Sequence, residues 1–397
     1  MRRGDAGVRR RGIMRLLIAV GVLTAALAQQ SDSGFLRKAS FEERSALVMA
    51  NDKLELTVLT TGATLANLVL NDDPGKQSPY WNAPRMAREL GQKTRGGGLG
   101  HFVCVDGFGP VSDEEKAAGM PGHGEAHTVP LELRYSGKQG SVAIVTLSGR
   151  LPLVQEMFTR TFRMVDGENV VYVNSELESE VAFDRPVCWA EHATIGSPFL
   201  EQGVTVVDHS GHRGMTRPHP ANIGPVPRRL ASAKEFTWPM APGVNGGEVD
   251  LRSAPLHPNS LDHTTYVMTD RKVAFVTALH PGKRLLIGYM FKTAEYPWLQ
   301  DWQNYPPTLK MSRGLEFSTM PFDVPRREAI QTNTLLGTPT YRWLPAKSKI
   351  ETRFLLFYTR TPEGMRKVDD VRLEAGRIVI EDRASGKQVT LAASQPL

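Results

Sequence analysis

The 397-residue chain carries 48 Lys and Arg against 42 Asp and Glu, a formal charge of +6, with 41% hydrophobic residues and only two Cys. That length allows one large domain or two ordinary ones with a substantial core, and two cysteines exclude a disulfide scaffold. The surplus charge is not a nucleic-acid-binding field either: the first 28 residues hold six Arg and one Asp, which accounts for all but one unit of it.

Residues 1–28 read as a secretory leader. Arg2, Arg3, Arg9, Arg10, Arg11 and Arg15 form a basic region, Leu16 to Leu27 is an apolar run too short to span a bilayer comfortably, and Ala26-Leu27-Ala28 is an A-x-A cleavage pattern before Gln29. No Cys follows the run to carry a lipid anchor. The expectation is cleavage after residue 28, a secreted or periplasmic protein and no stable membrane span thereafter.

Strand signals dominate the rest. Leu54, Leu56 and Val58 alternate with polar neighbours, and "SVAIVTLSG", "NVVYVNSELES", "KVAFVTALH", "RLLIGYMF" and "ETRFLLFYT" are strand-like. Asp166-Gly167 between two such runs signals a hairpin. "SDEEKAAG" (112–119) is a short helix candidate, and "PEGMRKVDDVRLE" (362–374) is the best helical pattern in the chain. Residues 211–228, rich in Gly, Pro and His, read as a long surface loop. "GRIVIED" and "KQVTLAA" around Ala384-Ser385-Gly386 predict a C-terminal hairpin over 376–393. Many strands and few short helices predict an all-β, antiparallel sandwich, taken as one domain over 29–397. Cys104 and Cys188 sit in apolar surroundings and read as buried thiols, with a single disulfide between them as the alternative.

Several segments carry candidate chemistry. "PGHGEAH" places His123 and His127 four apart around Glu125. A zinc-protease helix needs H-E-x-x-H, whereas here the order differs and Pro121, Gly122 and Pro130 oppose a helix. "CWAEHATIGSPFL" presents His192, "SLDHTTYVMTD" presents Asp262 and His263, and "SRGLEFSTMPF" presents Glu316 in an apolar stretch. A partly buried carboxylate has its pKa raised, which suits proton transfer near neutrality. No Ser or Cys nucleophile motif competes, and "GLGHF" lacks the lysine and hydroxyl of a phosphate loop. Trp81, Trp298 and Trp302 offer faces for sugar rings.

Taken together, these segments resemble the aldose 1-epimerase (galactose mutarotase) superfamily, over roughly 45–360. "LELTVLTTGATLANLVLND" is similar to the family's opening strands. "PGHGEAH" resembles the segment with the first catalytic histidine, "EHATIGSPFL" the second, "LDHTTYVM" the segment whose aspartate binds sugar hydroxyls, and "RGLEFSTMPF" the segment with the catalytic glutamate. The resemblance implies a large antiparallel supersandwich with His123, His192 and Glu316 as catalytic residues. Glu316 is then the base, His192 the acid, and His123 polarises a sugar oxygen. Asp262 holds hydroxyls, Glu125 and His127 are wall or loop, and no metal or organic cofactor is required. The family's arginine-bearing G-R-x-A-N-R-I segment is missing. "TRGGGLGHFVCVDGFGP" stands in its place, so Arg95 and His101 are the candidate substitutes, with Trp298 and Trp302 as further substrate contacts. Thr264-Thr265 replace the usual Asn-Tyr after His263.

The implied function is an exported enzyme that interconverts sugar anomers, with a small sugar or oligosaccharide as partner and no nucleic acid. Non-catalytic carbohydrate binding on the same fold is the alternative, as is an epimerase or lyase acting on another carbohydrate. A hydrolase would need two carboxylates flanking the bond, and only Glu316 has a matching motif. The export leader and the lack of an Arg cluster oppose a sugar-phosphate substrate.

Overall fold

The computed structural model describes residues 34–93, 98–219 and 227–397; the leader pattern and Arg95 lie outside them. Two antiparallel sheets form the body. The larger has 14 strands. It starts from the meander Leu36–Phe41, Arg44–Ala50, Leu54–Leu59 and Leu65–Leu70. It continues through His101–Cys104, Ala190–Gly196, the split strand Ser312–Gly314 and Glu316–Ser318, Trp298–Tyr305 and Ser260–Val267. Strand Arg213–Thr216 and three short strands between Glu235 and Asp250 complete it. The second sheet has eight strands, with Lys349–Arg360, Val170–Ser179 and Glu156–Val165 near its middle. The expected all-β antiparallel sandwich is therefore the observed architecture, about 50% strand and 6% helix.

The period-2 alternation of strands decides what each residue faces. In Lys349–Arg360, Phe354, Leu356 and Tyr358 point between the two sheets into the main core. Leu355 and Phe357 point the other way, into a second apolar layer. That layer lies under a three-stranded sheet formed by Asp370–Glu374, Arg377–Asp382 and Lys387–Ala392, which contributes Val371, Ile378, Ile380 and Leu391. The strand Lys349–Arg360 is thus apolar on both faces, which explains its continuous hydrophobic run.

The helix expected over 362–374 is corrected: Asp370–Glu374 is a strand, with Val371 opposite Ile380 and Leu373 opposite Ile378. Met365, Val368 and Val371 recur every three residues and imitate a helix stripe. All three are buried in the second apolar layer, and pairing with the following strand overrides the local pattern. The short helix Asp113–Ala117 does form, with a capping box between Ser112 and Glu115. Cys104 and Cys188 are both buried free thiols. Among the described residues no helix is long and apolar enough to cross a membrane.

Candidate active site

The large sheet presents one face to the core and the other to a cavity of about 430 Å³, within the roughly 300–1,000 Å³ range of small-molecule sites. Register fixes which side chains reach it. His192 lies opposite Phe102, Gln300 opposite Glu316, and His263 opposite Trp302. His192, Phe102, Glu316, His263 and Trp302 all line the cavity, although they come from five separate strands.

His192 stacks on Phe102, with ring centroids 4.1 Å apart. Its Nδ1 is 2.8 Å from Thr194 Oγ1, and that hydroxyl donates in turn to His192 O at 3.4 Å. With the hydroxyl donating there, it accepts from Nδ1, an arrangement that leaves a lone pair on Nε2. Nε2 is 3.2 Å from Glu316 Oε1, yet Oε1 has no aligned hydrogen-bond partner. Two groups so close, but not bonded to each other, can both address a third. Gly314 makes room for the carboxylate, because a Cβ there would sit 2.2 Å from Glu316 Oε1. Burial pushes the Glu316 carboxyl well above the usual range, and nearby Asp301 adds to it. Burial likewise pushes His192 well below its ordinary value, with His123 adding. Burial thus disfavours the charged form of each group.

His123 approaches from the loop. Its Nδ1 accepts from Gly109 N at 3.2 Å, and its ring lies 5.2 Å from that of His192. Burial, then His127, lowers its pKa to about 4. The loop is held by Gly124, where a Cβ would meet Val105 O at 2.5 Å. Glu125 also holds it by accepting from Leu153 N at 3.0 Å and Val154 N at 3.3 Å. Glu125 is thus a loop anchor, while His127 is cavity wall. Among the described residues, no group of three or more His, Cys, Asp or Glu is arranged to hold a metal ion.

Of the residues singled out from sequence, the cavity brings together His123, His192, Glu316 and Trp302, and Trp81 joins them. Trp81 and Trp302 meet edge to face, with centroids 6.0 Å apart. Three other expectations are corrected. Asp262 points into the core, where its carboxylate accepts from Arg229 N, Arg229 Nε and Leu230 N at 2.9, 2.8 and 3.2 Å. His101 also faces the core, fully buried, with Nε2 2.8 Å from Glu191 Oε2. Each precedes a cavity-facing residue, His263 and Phe102, and the pleat sends neighbours to opposite faces. Trp298 shares the face of Trp302 but lies four residues along the strand, outside the cavity, and donates from Nε1 to Pro339 O at 2.6 Å. Arg44, Phe108 and Asp323 line the cavity unforeseen; only strand pairing and loop placement bring them there, and no local motif announced them.

No family model matches the chain, and no curated protein matches it in sequence. Solved structures do match its backbone. A Klebsiella pneumoniae protein assigned provisionally as an aldose 1-epimerase aligns with a TM-score of 0.57 at 12% identity, covering 82% of each chain. The galactose mutarotase related enzyme from Lactobacillus acidophilus gives 0.54 at 12% identity, over 83% of this chain and all of that one. A galactose mutarotase-like protein from Lactobacillus casei gives 0.51 at 16% identity, over 79% of this chain and all of that one. The chain has the galactose mutarotase-like fold.

Proposed function

We propose that this protein is an aldose 1-epimerase-like enzyme that interconverts sugar anomers by acid–base ring opening. The observation that carries the reading is the His192–Glu316 pair, 3.2 Å apart without hydrogen-bond alignment, in a cavity walled by Trp81 and Trp302. Indole faces suit the apolar faces of a pyranose, and the pair supplies one lone pair and one proton.

In the resting site His192 Nε2 takes the proton of the C1 hydroxyl while Glu316 protonates the ring oxygen. The C1–O5 bond breaks and the open aldehyde forms. Rotation about C1–C2 presents the other face of the carbonyl. On closure Glu316 recovers the proton from the C5 hydroxyl and His192 returns its proton to the C1 oxygen, so the pair ends as it began. This proton placement is the reverse of the one that the family resemblance implies, and burial of both groups favours it. His123, uncharged above about pH 4, faces the pair as a further polar contact. The reaction as written needs only these side chains.

The test is polarimetry of freshly dissolved anomers across a panel of aldoses. Glu316→Gln should lower kcat by roughly 10²–10⁴-fold while the protein stays folded. Saturable sugar binding without any rate enhancement would instead assign non-catalytic carbohydrate binding. We also propose that the protein is exported after loss of residues 1–28, on the basic, apolar, A-x-A pattern of that segment. Mass spectrometry of the exported protein should find Gln29 first, and an intact leader would refute this.

A further inference from the structure

His123 occupies a conformation that its surroundings must hold. Its φ is +66°, in the left-handed region that a residue with a Cβ enters only where the structure around it compensates. The neighbouring segment 105–109 supplies that support. Gly109 grips His123 at two points: its N–H donates to Nδ1 at 3.2 Å, and its carbonyl accepts from His123 N at 2.8 Å. Val105 bridges to Gly124, and its carbonyl accepts from Ala126 N at 2.9 Å. A backbone N–H only donates, so Nδ1 offers a lone pair and the proton of the neutral ring sits on Nε2. Cys104 Sγ, 3.7 Å from the same nitrogen, is a weaker second neighbour.

The segment is itself held by Asp106, whose side chain is fully buried. Its Oδ1 accepts from Cys188 N at 2.8 Å, and its Oδ2 accepts from Arg326 Nη1 at 2.5 Å and from Arg185. The two arginines come from distant parts of the chain, Arg185 from the strand Arg185–Val187 and Arg326 from the helix Arg326–Thr332. Arg326 Nε also lies 3.4 Å from Glu115 Oε1, on the short helix between Gly109 and His123. Arg185 donates from Nη1 to Val154 O at 2.9 Å, in the turn whose amides hold Glu125. Both sides of the His123 loop are thus tied to one buried carboxylate. Neither Asp106 nor its two arginines line the cavity, so any effect they have on the chemistry passes through the groups they hold.

We propose that Asp106, clamped by Arg185 and Arg326, is a positioning residue of the acid–base site: it fixes the backbone at Gly109, and Gly109 fixes the orientation and tautomer of the His123 ring. The kinetic consequence rests on the functional reading above; the tautomer does not. The task suits a carboxylate, because a backbone N–H and two guanidiniums reach it together and all of them donate. An amide in its place has one oxygen, and its nitrogen would face a donor.

The experiment records nitrogen NMR spectra of the protein labelled at its histidines, with His123→Ala to identify the His123 signal. At pH 7 the wild type should show Nε2 protonated and Nδ1 bare. Asp106→Asn should move the signal toward exchange between the two tautomers. Arg326→Gln should do the same to a smaller extent, and it carries the test if Asp106→Asn fails to fold. Arg326→Lys, which keeps the charge beside Asp106, should restore most of the wild-type signal. In polarimetric kinetics Asp106→Asn should lower kcat roughly ten- to hundredfold with little change in KM. In a His123→Ala background the same substitution should lower it less than about twofold further. A wild-type ring protonated on Nδ1, a signal that no substitution at 106 or 326 moves, or an equal kcat loss in both backgrounds would overturn the proposal. If the wild type mutarotates no aldose, the functional reading falls, and the histidine spectra alone decide the positioning.

Discussion

His192 Nε2 and Glu316 Oε1 lie 3.2 Å apart on neighbouring strands, and both residues are buried and line the same cavity. Burial disfavours the charged form of both, so the expected resting pair is a neutral imidazole beside a neutral carboxyl. Infrared difference spectra of wild type against Glu316→Gln at pH 7 should show the carbonyl stretch of a protonated carboxyl assigned to Glu316. A carboxylate band in its place would overturn the assignment. Thr194→Val, which removes the acceptor for Nδ1, should lower kcat about tenfold through loss of the productive tautomer.

Trp302 lines the cavity next to His192 and Trp81. Trp302→Ala should weaken sugar binding about three- to tenfold, the equivalent of roughly 0.5–1.5 kcal/mol for an aromatic contact, and raise KM more than it lowers kcat. Trp298→Phe should leave affinity unchanged, because Trp298 lies outside the cavity. Isothermal titration of the two variants separates them.

Glu156 is a second buried carboxyl, beyond the site, with neither oxygen hydrogen-bonded and Oε1 3.3 Å from Arg185. Burial and then Asp106 push its pKa up to about 8, against the pull of Arg185 and Arg326. In the unfolded chain it ionises near 4.5. Between those values the unfolded state binds fewer protons than the folded one, so stability falls as pH rises from about 4.5 to 8. Glu156→Gln should flatten this slope and raise the melting temperature relative to wild type at pH 8, with the difference shrinking toward pH 4. Thermal melts across that range provide the check.

Glu191 binds Arg160 and His101 inside the sandwich, at 2.5 and 2.8 Å, and all three side chains are fully buried. Replacing Glu191 by Ala strands the Arg160 charge and should cost about 3–5 kcal/mol in denaturant unfolding. His101→Phe should change stability but not sugar affinity, as expected of a residue on the core face of its strand.

Much of this was legible in the sequence because alternation and turn chemistry are local. The strand runs, the short helix within 112–119, and the segments that bear His123, His192 and Glu316 all announced themselves. The pattern over 362–374 misled, because a three-residue spacing of apolar side chains is compatible with a helix until a neighbouring strand claims it. The phase of each site strand was likewise out of reach. In "LDHTT" and "GHFVC" two adjacent polar or aromatic residues compete for the cavity, and both faces of these strands are buried, so composition does not say which side is which. Pairing with Trp298–Tyr305 and Ala190–Gly196, and the covering of one face by the eight-stranded sheet, decided it. That sheet turned Asp262 and His101 into core ion-pair partners and gave the cavity to His263 and Phe102. The sequence determined which strands exist; which face of each became the site depended on a second sheet whose strands are scattered along the chain from Glu132 to Arg360, a constraint that no local pattern encodes.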